Sequence, residues 1–251
     1  MIEPGTFEKY AWFSQWRLKA DEILHAWGQQ PDALYRCLAA QQAQFHAVPQ
    51  AWLPESEAYE AFIYRTHTVP TRNNVHDFFN GLCWLRFPQT KQRLNHLQAQ
   101  AIQQQGVTAH RGVLRDALTL FDENAALLCA PDNVWKALLA QDWQALFVTH
   151  RKAWQDTKLT LFGHALLEKL LKPYKGITAH VLCLAVPKEV QAGDDATLDH
   201  WLSHNLHTEF LQTKPFVPLP VLGVPGWWAA NEEAGFYADR QVFRPQKKQG
   251  Y

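Results

Sequence analysis

Residues 158–186, KLTLFGHALLEKLLKPYKGITAHVLCLAV, carry the pattern on which the fold reading turns. KLTLF, from Lys158, is a short β-prone run. GHALLEKLLKP, from Gly163, spaces its leucines along one helical face and stops at Pro173, and ITAHVLCLAV, from Ile177, is a second apolar run. Strand, helix and strand in succession have the form of a βαβ unit and imply a small sheet inside the chain. On the N-terminal side, Leu118–Phe121 and Ala126–Leu128 flank Asp122-Glu123-Asn124, turn chemistry that predicts a β-hairpin, and Asp132 caps a helix through Leu138 and Leu139. On the C-terminal side a last helix is expected over Leu198 to Phe210. The proline-rich KPFVPLPVLGVPGWW follows, and its prolines disfavour ladder pairing and suit an extended strap.

The N-terminal half reads as mostly helical. Trp12, Trp16, Leu18, Ile23, Leu24 and Trp27 form apolar rows at helical spacing before Gly28. A second helix follows from Pro31 through Leu34 and Leu38 into the glutamine-rich Gln41–Gln44. AWLPESEAYEAFIYRTHTVPTRNN is β-prone and reads as one strand entering a loop. Asn74, three residues before Asp77, resembles a capping box and predicts a buried helix from Val75. Pro88 interrupts or ends it, and Leu94, Leu97, Ala101 and Ile102 continue at helical spacing up to the Gln103–Gly106 punctuation. The expected fold is α+β: a predominantly helical single domain over 1–251, with residues 211–251 a proline- and aromatic-rich strap over the core.

Composition excludes several classes. Hydrophobic residues make up 47% and charged residues 19%, with 11 Trp and 14 Phe, which is not the composition of a disordered chain. With 24 basic and 24 acidic residues the formal net charge is +0, so the diffuse positive field of a general nucleic-acid binder is missing. No apolar run approaches the ~20 residues needed to span a bilayer, and MIEPGTFEKYAWF lacks the features of a secretory signal. The expectation is a cytoplasmic protein without a membrane partner. Cys37, Cys83, Cys129 and Cys183 are widely separated with no C-x-x-C pair, and each reads as a buried reduced thiol.

VPTRNNVHDFFNGLCWLRFPQTKQRLNHL, Val69 to Leu97, resembles the signature V-P-T-R-x-N-x-H-D-x-F-N followed by W-L-x-F-P-x-x-K-x-x-L-N of an uncharacterised proteobacterial family, the domain of unknown function numbered three thousand and twenty-five. Further segments similar to that family are RGVLRDALTLFDENAALL from Arg111, FGHALLEKLLKP from Phe162, and PVLGVPGWW with FYADRQVFRP near the end. The resemblance implies family membership and brings no activity with it.

Three groups of residues can carry chemistry. His76 and Asn80 share a helical face beside Asp77, and imidazole with carboxylate and amide oxygens suits a divalent metal ion, while Arg72 and Lys91 suit a phosphate. The competing reading gives Asp77 a capping role and has His76 and Asn80 satisfy backbone and turn. His164 and Glu168 share a face where a strand hands over to a helix, with His180 on the next strand a candidate for the same crevice. An i, i+4 histidine–carboxylate pair in a packed helix explains them equally well. Asp122-Glu123-Asn124 can present oxygens to a hard cation but also suits a hairpin tip, and Arg115 and Asp116 read as an internal ion pair or as part of the site. Trp227, Trp228, Tyr237 and Phe243 form either an aromatic platform or packing. No G-x-S-x-G, P-loop, G-x-G-x-x-G or H-E-x-x-H is present.

The functional expectation is a hydrolase-like enzyme with His76, Asp77 and His164 as catalytic groups, a histidine as general base and the Asp77 carboxylate orienting it, and Arg72, Asn80, Lys91 and Arg115 on the substrate, a small molecule or phosphate-containing ligand. A divalent metal is the candidate cofactor. One form of this reading takes His67, Pro70, Arg72, Asn80, Cys83 and Lys91 as resembling the strand, loop and helix of a ββα-metal nuclease cleaving phosphodiesters. Thr66 and Pro88 depart from that pattern. The alternative is a non-enzymatic binding or structural module whose polar signature holds helix ends in place.

Overall fold

In the computed structural model, which describes residues 2, 3, 5–41, 44–105, 112–233 and 235–245, helices predominate. In chain order they include α1 (Thr6–Lys9), α2 (Arg17–Gln29), α3 (Leu34–Ala39), α4 (Tyr59–Thr66), α5 (Val75–Arg86), α6 (Pro88–Gln105), α7 (Val113–Asn124), α8 (Asp132–Leu139), α9 (His164–Lys169), α10 (Lys188–Ala192), α11 (Asp195–Asn205) and α12 (Thr208–Gln212). The strands are β1 (His46–Pro49), β2 (Thr68–Thr71), β3 (Ala125–Cys129), β4 (Lys158–Leu161), β5 (Thr178–Leu182) and β6 (Phe216–Pro220). This is the helix-dominated α+β fold expected from the sequence. Gln42 and Ala43 of the glutamine stretch, the Gly106 punctuation, and Ala234 and 246–251 of the expected strap lie outside the described residues.

Helix α5 starts where the sequence puts it and for the expected reason. The extended Asn74 accepts the Asp77 N–H through its side chain at 2.8 Å. After Arg86 the chain breaks, and Pro88 opens α6 at a position where no N–H is needed. The next two N–H groups, of Gln89 and Thr90, donate to the Asp199 carboxylate on α11 at 2.9 and 2.8 Å, so another helix caps α6. Asp199 is 1% exposed. Asp199→Ala is expected to strand these donors in dry interior and cost about 2–4 kcal/mol, read as a lower urea midpoint. A loss below about 0.5 kcal/mol would mean that water satisfies this helix end.

Three local expectations are overturned. The predicted hairpin around Asp122-Glu123-Asn124 is the last turn of α7 running straight into β3. Leu118 and Phe121 belong to a helical stripe with Leu114 and Ala117, and the 3.6-residue period outweighs the turn chemistry of the acidic trio. AFIYRT is not a strand: Tyr59, Phe62 and Ile63 repeat at helical spacing, and only TVPT remains extended as β2, paired in parallel with β1. The prolines of FVPLP do not prevent pairing. β6 lies antiparallel to β5 at the sheet edge, where a proline lacks nothing on its outer side.

The main sheet has the order β4-β3-β5-β6. β4 is antiparallel and β5 parallel to the central β3, so the strand–helix–strand run of 158–186 straddles β3 and is not a parallel βαβ pair. The expected last helix is likewise split into α11 and α12. A contiguous core contains Phe78, Phe79, Phe87, Phe121 and Phe162, each fully buried. After β6 the tail packs its rings inward, with Tyr237 stacked on Phe147 at 5.2 Å and Phe243 3% exposed. The cysteines are free, with Cys37, Cys83 and Cys129 buried. No helix among the described residues is long and apolar enough to cross a membrane.

Candidate metal centre

Four helix ends meet beside one cavity of about 380 Å³. The first turn of α5 presents His76, the last turn of α7 presents Asp122 and Glu123, the first turn of α6 presents Lys91, and His164 is the first residue of α9. The approach of α7 to α9 depends on Gly163, because a Cβ there would lie 2.4 Å from both the Asn124 nitrogen and the Glu123 carbonyl oxygen. Phe162 and Gly163 both donate their N–H groups to the Ala125 carbonyl at 2.9 Å, which ties the start of α9 to the end of α7.

The hydrogen bonds orient both imidazole rings. His164 Nδ1 lies 2.9 Å from the Asp122 carbonyl oxygen, an atom that only accepts, so Nδ1 is protonated and Nε2 holds a lone pair. His76 Nδ1 lies 2.8 Å from Glu168 Oε2 and donates to it, which turns Nε2 toward His164. The two Nε2 atoms are 3.1 Å apart, with the rings edge to face at 72°. Glu123 Oε2 lies 3.4 Å from His164 Nε2. Ligand atoms of His76, Glu123 and His164 all fall within 4.8 Å of one another. Three possible ligand atoms thus converge on one point, as ligands of a cation do.

Burial drives the His164 imidazole down to about 3 against the opposing Asp122 charge, with Lys91 adding to the effect of burial, so the ring is held in its neutral, ligating form. Burial also pushes the Glu123 carboxyl up, assisted by the neighbouring Asp122 charge. At Asp122 burial opposes ionisation, but Lys91 together with the neighbouring imidazoles outweighs it and holds the carboxyl below its usual range. Lys91, whose side chain is 4% exposed, pairs with Asp122 and donates to Asn80 Oδ1 at 2.8 Å. Asn80 Nδ2 in turn donates to the Tyr59 hydroxyl at 3.2 Å.

His76 and His164, both singled out from the sequence, therefore meet. Asp77 does not orient either of them. It accepts from the Arg72 guanidinium at 2.8 Å and from the Arg72 backbone N–H at 2.6 Å, and Glu168 is the carboxylate that holds His76. Glu168 thus reaches across to the other helix and does not pair with His164 on its own face. Arg72, Asp77, Asn80 and Lys91 line the cavity with Tyr59, whereas Arg115 is buried on α7 away from it. Asp116 lies near Lys214, at 3.8 Å, so the expected Arg115–Asp116 pair is not formed. His180 lies outside the cavity lining, and its buried Nδ1 has no partner among the described residues. His67 is an exposed left-handed residue that ends α4, φ 54°, and is not in the cavity, so the strand histidine of a ββα nuclease is missing here. Sequence reading missed Tyr59 and weighed Glu123 between a hairpin tip and an oxygen donor to a cation without connecting it to the histidines.

Residues 45–247 match the family described as "Protein of unknown function (DUF3025)", a span that includes every residue of the histidine–glutamate cluster. No curated protein and no solved structure matches the chain. The chain belongs to the DUF3025 family of proteins of unknown function.

Proposed function

We propose that the protein is a metal-dependent hydrolase in which His76, Glu123 and His164 hold one divalent ion at the end of the cavity. The observation that carries this reading is the spacing of the three donor atoms, 3.1 Å between the imidazole nitrogens and 3.4 Å from nitrogen to carboxylate. Donors about 2.0–2.1 Å from a tetrahedral zinc ion lie roughly 3.3–3.4 Å apart. The outer contacts suit the same purpose, since ligating histidines carry their second N–H on a carboxylate or carbonyl, the roles of Glu168 and the Asp122 carbonyl. A proton shared between the two rings, with Glu123 as its counter-charge, is the competing reading, and metal uptake separates the two.

Three protein ligands leave a coordination position for water, and a bound divalent ion would make that water a nucleophile near neutral pH. Hydrolysis then adds the elements of water across an acyl–oxygen or phosphorus–oxygen bond, giving an acid and an alcohol. The cavity wall carries Glu60, Asp77, Asp122 and Glu123 against Arg72 and Lys91, and both cations are already paired. An acidic wall favours a cation at its end and leaves the ion itself as the main attraction for a phosphate or carboxylate.

Protein purified without chelator is expected to carry about one zinc, manganese or iron ion per chain and to hydrolyse chromogenic phosphodiesters or carboxylic esters. EDTA should abolish that activity and added metal restore it. Protein that is metal-free and stays so in the presence of each of these ions would sink the reading.

A further inference from the structure

The orientation of one amide fixes what the cavity offers to a ligand. A lysine ammonium only donates, so the Asn80 atom 2.8 Å from Lys91 Nζ must be the carbonyl oxygen. The Asn80 NH₂ therefore faces Tyr59, 3.2 Å away, and an NH₂ group only donates. The phenol oxygen is occupied as an acceptor, and among the described residues its hydroxyl donates to nothing. Tyr59, Asn80 and Lys91 all line the cavity that holds His76, Glu123 and His164.

From this chain of donors we infer that Tyr59 is a catalytic hydrogen-bond donor, its O–H directed at the carbonyl or phosphoryl oxygen of a substrate held by the metal ion. Asn80 and Lys91 are positioning residues that act through it. The inference rests on the proposed metal centre and names the group that would share with the ion the negative charge developing on the substrate oxygen. Each link polarises the next: the ammonium draws on the amide carbonyl, the amide N–H on the phenol oxygen, and the phenol hydrogen becomes a stronger donor. The phenol keeps its proton, because burial, with the Asp77 charge adding, raises it well above its ordinary value. The substrate class is an acyl or phosphoryl compound small enough for a cavity of about 380 Å³.

The test uses zinc-loaded protein and inorganic phosphate as the probe, by titration calorimetry. Tyr59→Phe is expected to keep its zinc and to bind phosphate about tenfold more weakly. Asn80→Asp is close in shape but puts an acceptor where the donor stood, so the phenol hydrogen turns onto residue 80 and leaves the cavity. In the Asn80→Asp background Tyr59→Phe should therefore cost nothing further. If the added charge of Asn80→Asp were the only cause of its weaker binding, the tenfold factor would survive in that background and the inference would be wrong. Tyr59→Phe binding phosphate like the wild type, or zinc-loaded wild type binding none, overturns it while the metal centre stands. Wild type that takes up no zinc overturns both.

Discussion

Removing any one of the three donor atoms is expected to cost the protein its metal. Apparent binding energies of about 10–16 kcal/mol for structural zinc, shared among three or four ligands, put each ligand at roughly 3–4 kcal/mol, a 10²–10³-fold loss of affinity. His76→Ala, Glu123→Ala and His164→Ala should each show it in competition with a chromophoric chelator. Glu168→Gln, which keeps an acceptor for the His76 Nδ1–H but loses the charge, should weaken zinc by about tenfold. Asp77→Asn should leave zinc affinity unchanged, because Asp77 touches Arg72 and the helix start and neither imidazole. That contrast separates the site drawn from coordinates, in which Glu168 orients His76, from the one drawn from sequence, in which Asp77 does. Equal zinc affinity for wild type and the three alanine variants would show that the cluster holds no ion. A large loss in Asp77→Asn would show that the outer contacts are misassigned.

What could be read in the sequence was what is local. The start of α5 was legible because a cap is a contact between residues three apart, Asn74 and Asp77. The order of strand, helix and strand over β4, α9 and β5 was legible from periodicity. The pairing was not, because β3, the strand that separates β4 from β5, lies far upstream and no local pattern declares which strand fills a sheet's centre. The two histidines were legible as candidates because each opens a helix near a carboxylate. Their meeting was not, nor was the exchange by which Glu168, one turn from His164, serves His76 instead. Glu123 shows how one wrong local assignment hides a function. As a hairpin tip its carboxylate would point to solvent, whereas in the last turn of α7 it points at His164.

Gly163→Ala is expected to be among the most damaging single-methyl changes near the site, and the reason is not conformational freedom. With φ −62° and ψ 121°, the backbone of Gly163 is one that alanine adopts without strain. The obstacle is the place the methyl must occupy, 2.4 Å from the Asn124 nitrogen and the Glu123 carbonyl oxygen and 2.5 Å from the Asn124 Cα. Ordinary contact needs roughly 1 Å more. Neither side can yield easily: Asn124 leads directly into the central strand β3, and Gly163 is tied to Ala125 by its own N–H at 2.9 Å. Gly81→Ala is the control. Its Cβ would come within 2.5 and 2.6 Å of the two Leu38 methyls, and a side chain shifts more readily than the backbone that faces Gly163, although Leu38 is buried in the core. Alanine also gains up to about 1 kcal/mol of helix propensity in the middle of α5, which offsets part of the roughly 1–3 kcal/mol of overpacking, so Gly81→Ala should lose clearly less than Gly163→Ala. Gly163→Ala should lose about 3 kcal/mol or more of stability by urea unfolding of the metal-free protein. Where the variant still folds, the last turn of α7 must have moved, and with it both Glu123 and the Asp122 carbonyl that holds His164, so zinc affinity should fall together with stability. Equal stability of the two alanine variants would mean that α7 and α9 do not meet as closely as Gly163 allows, and the three-ligand geometry built on that contact would fail with it.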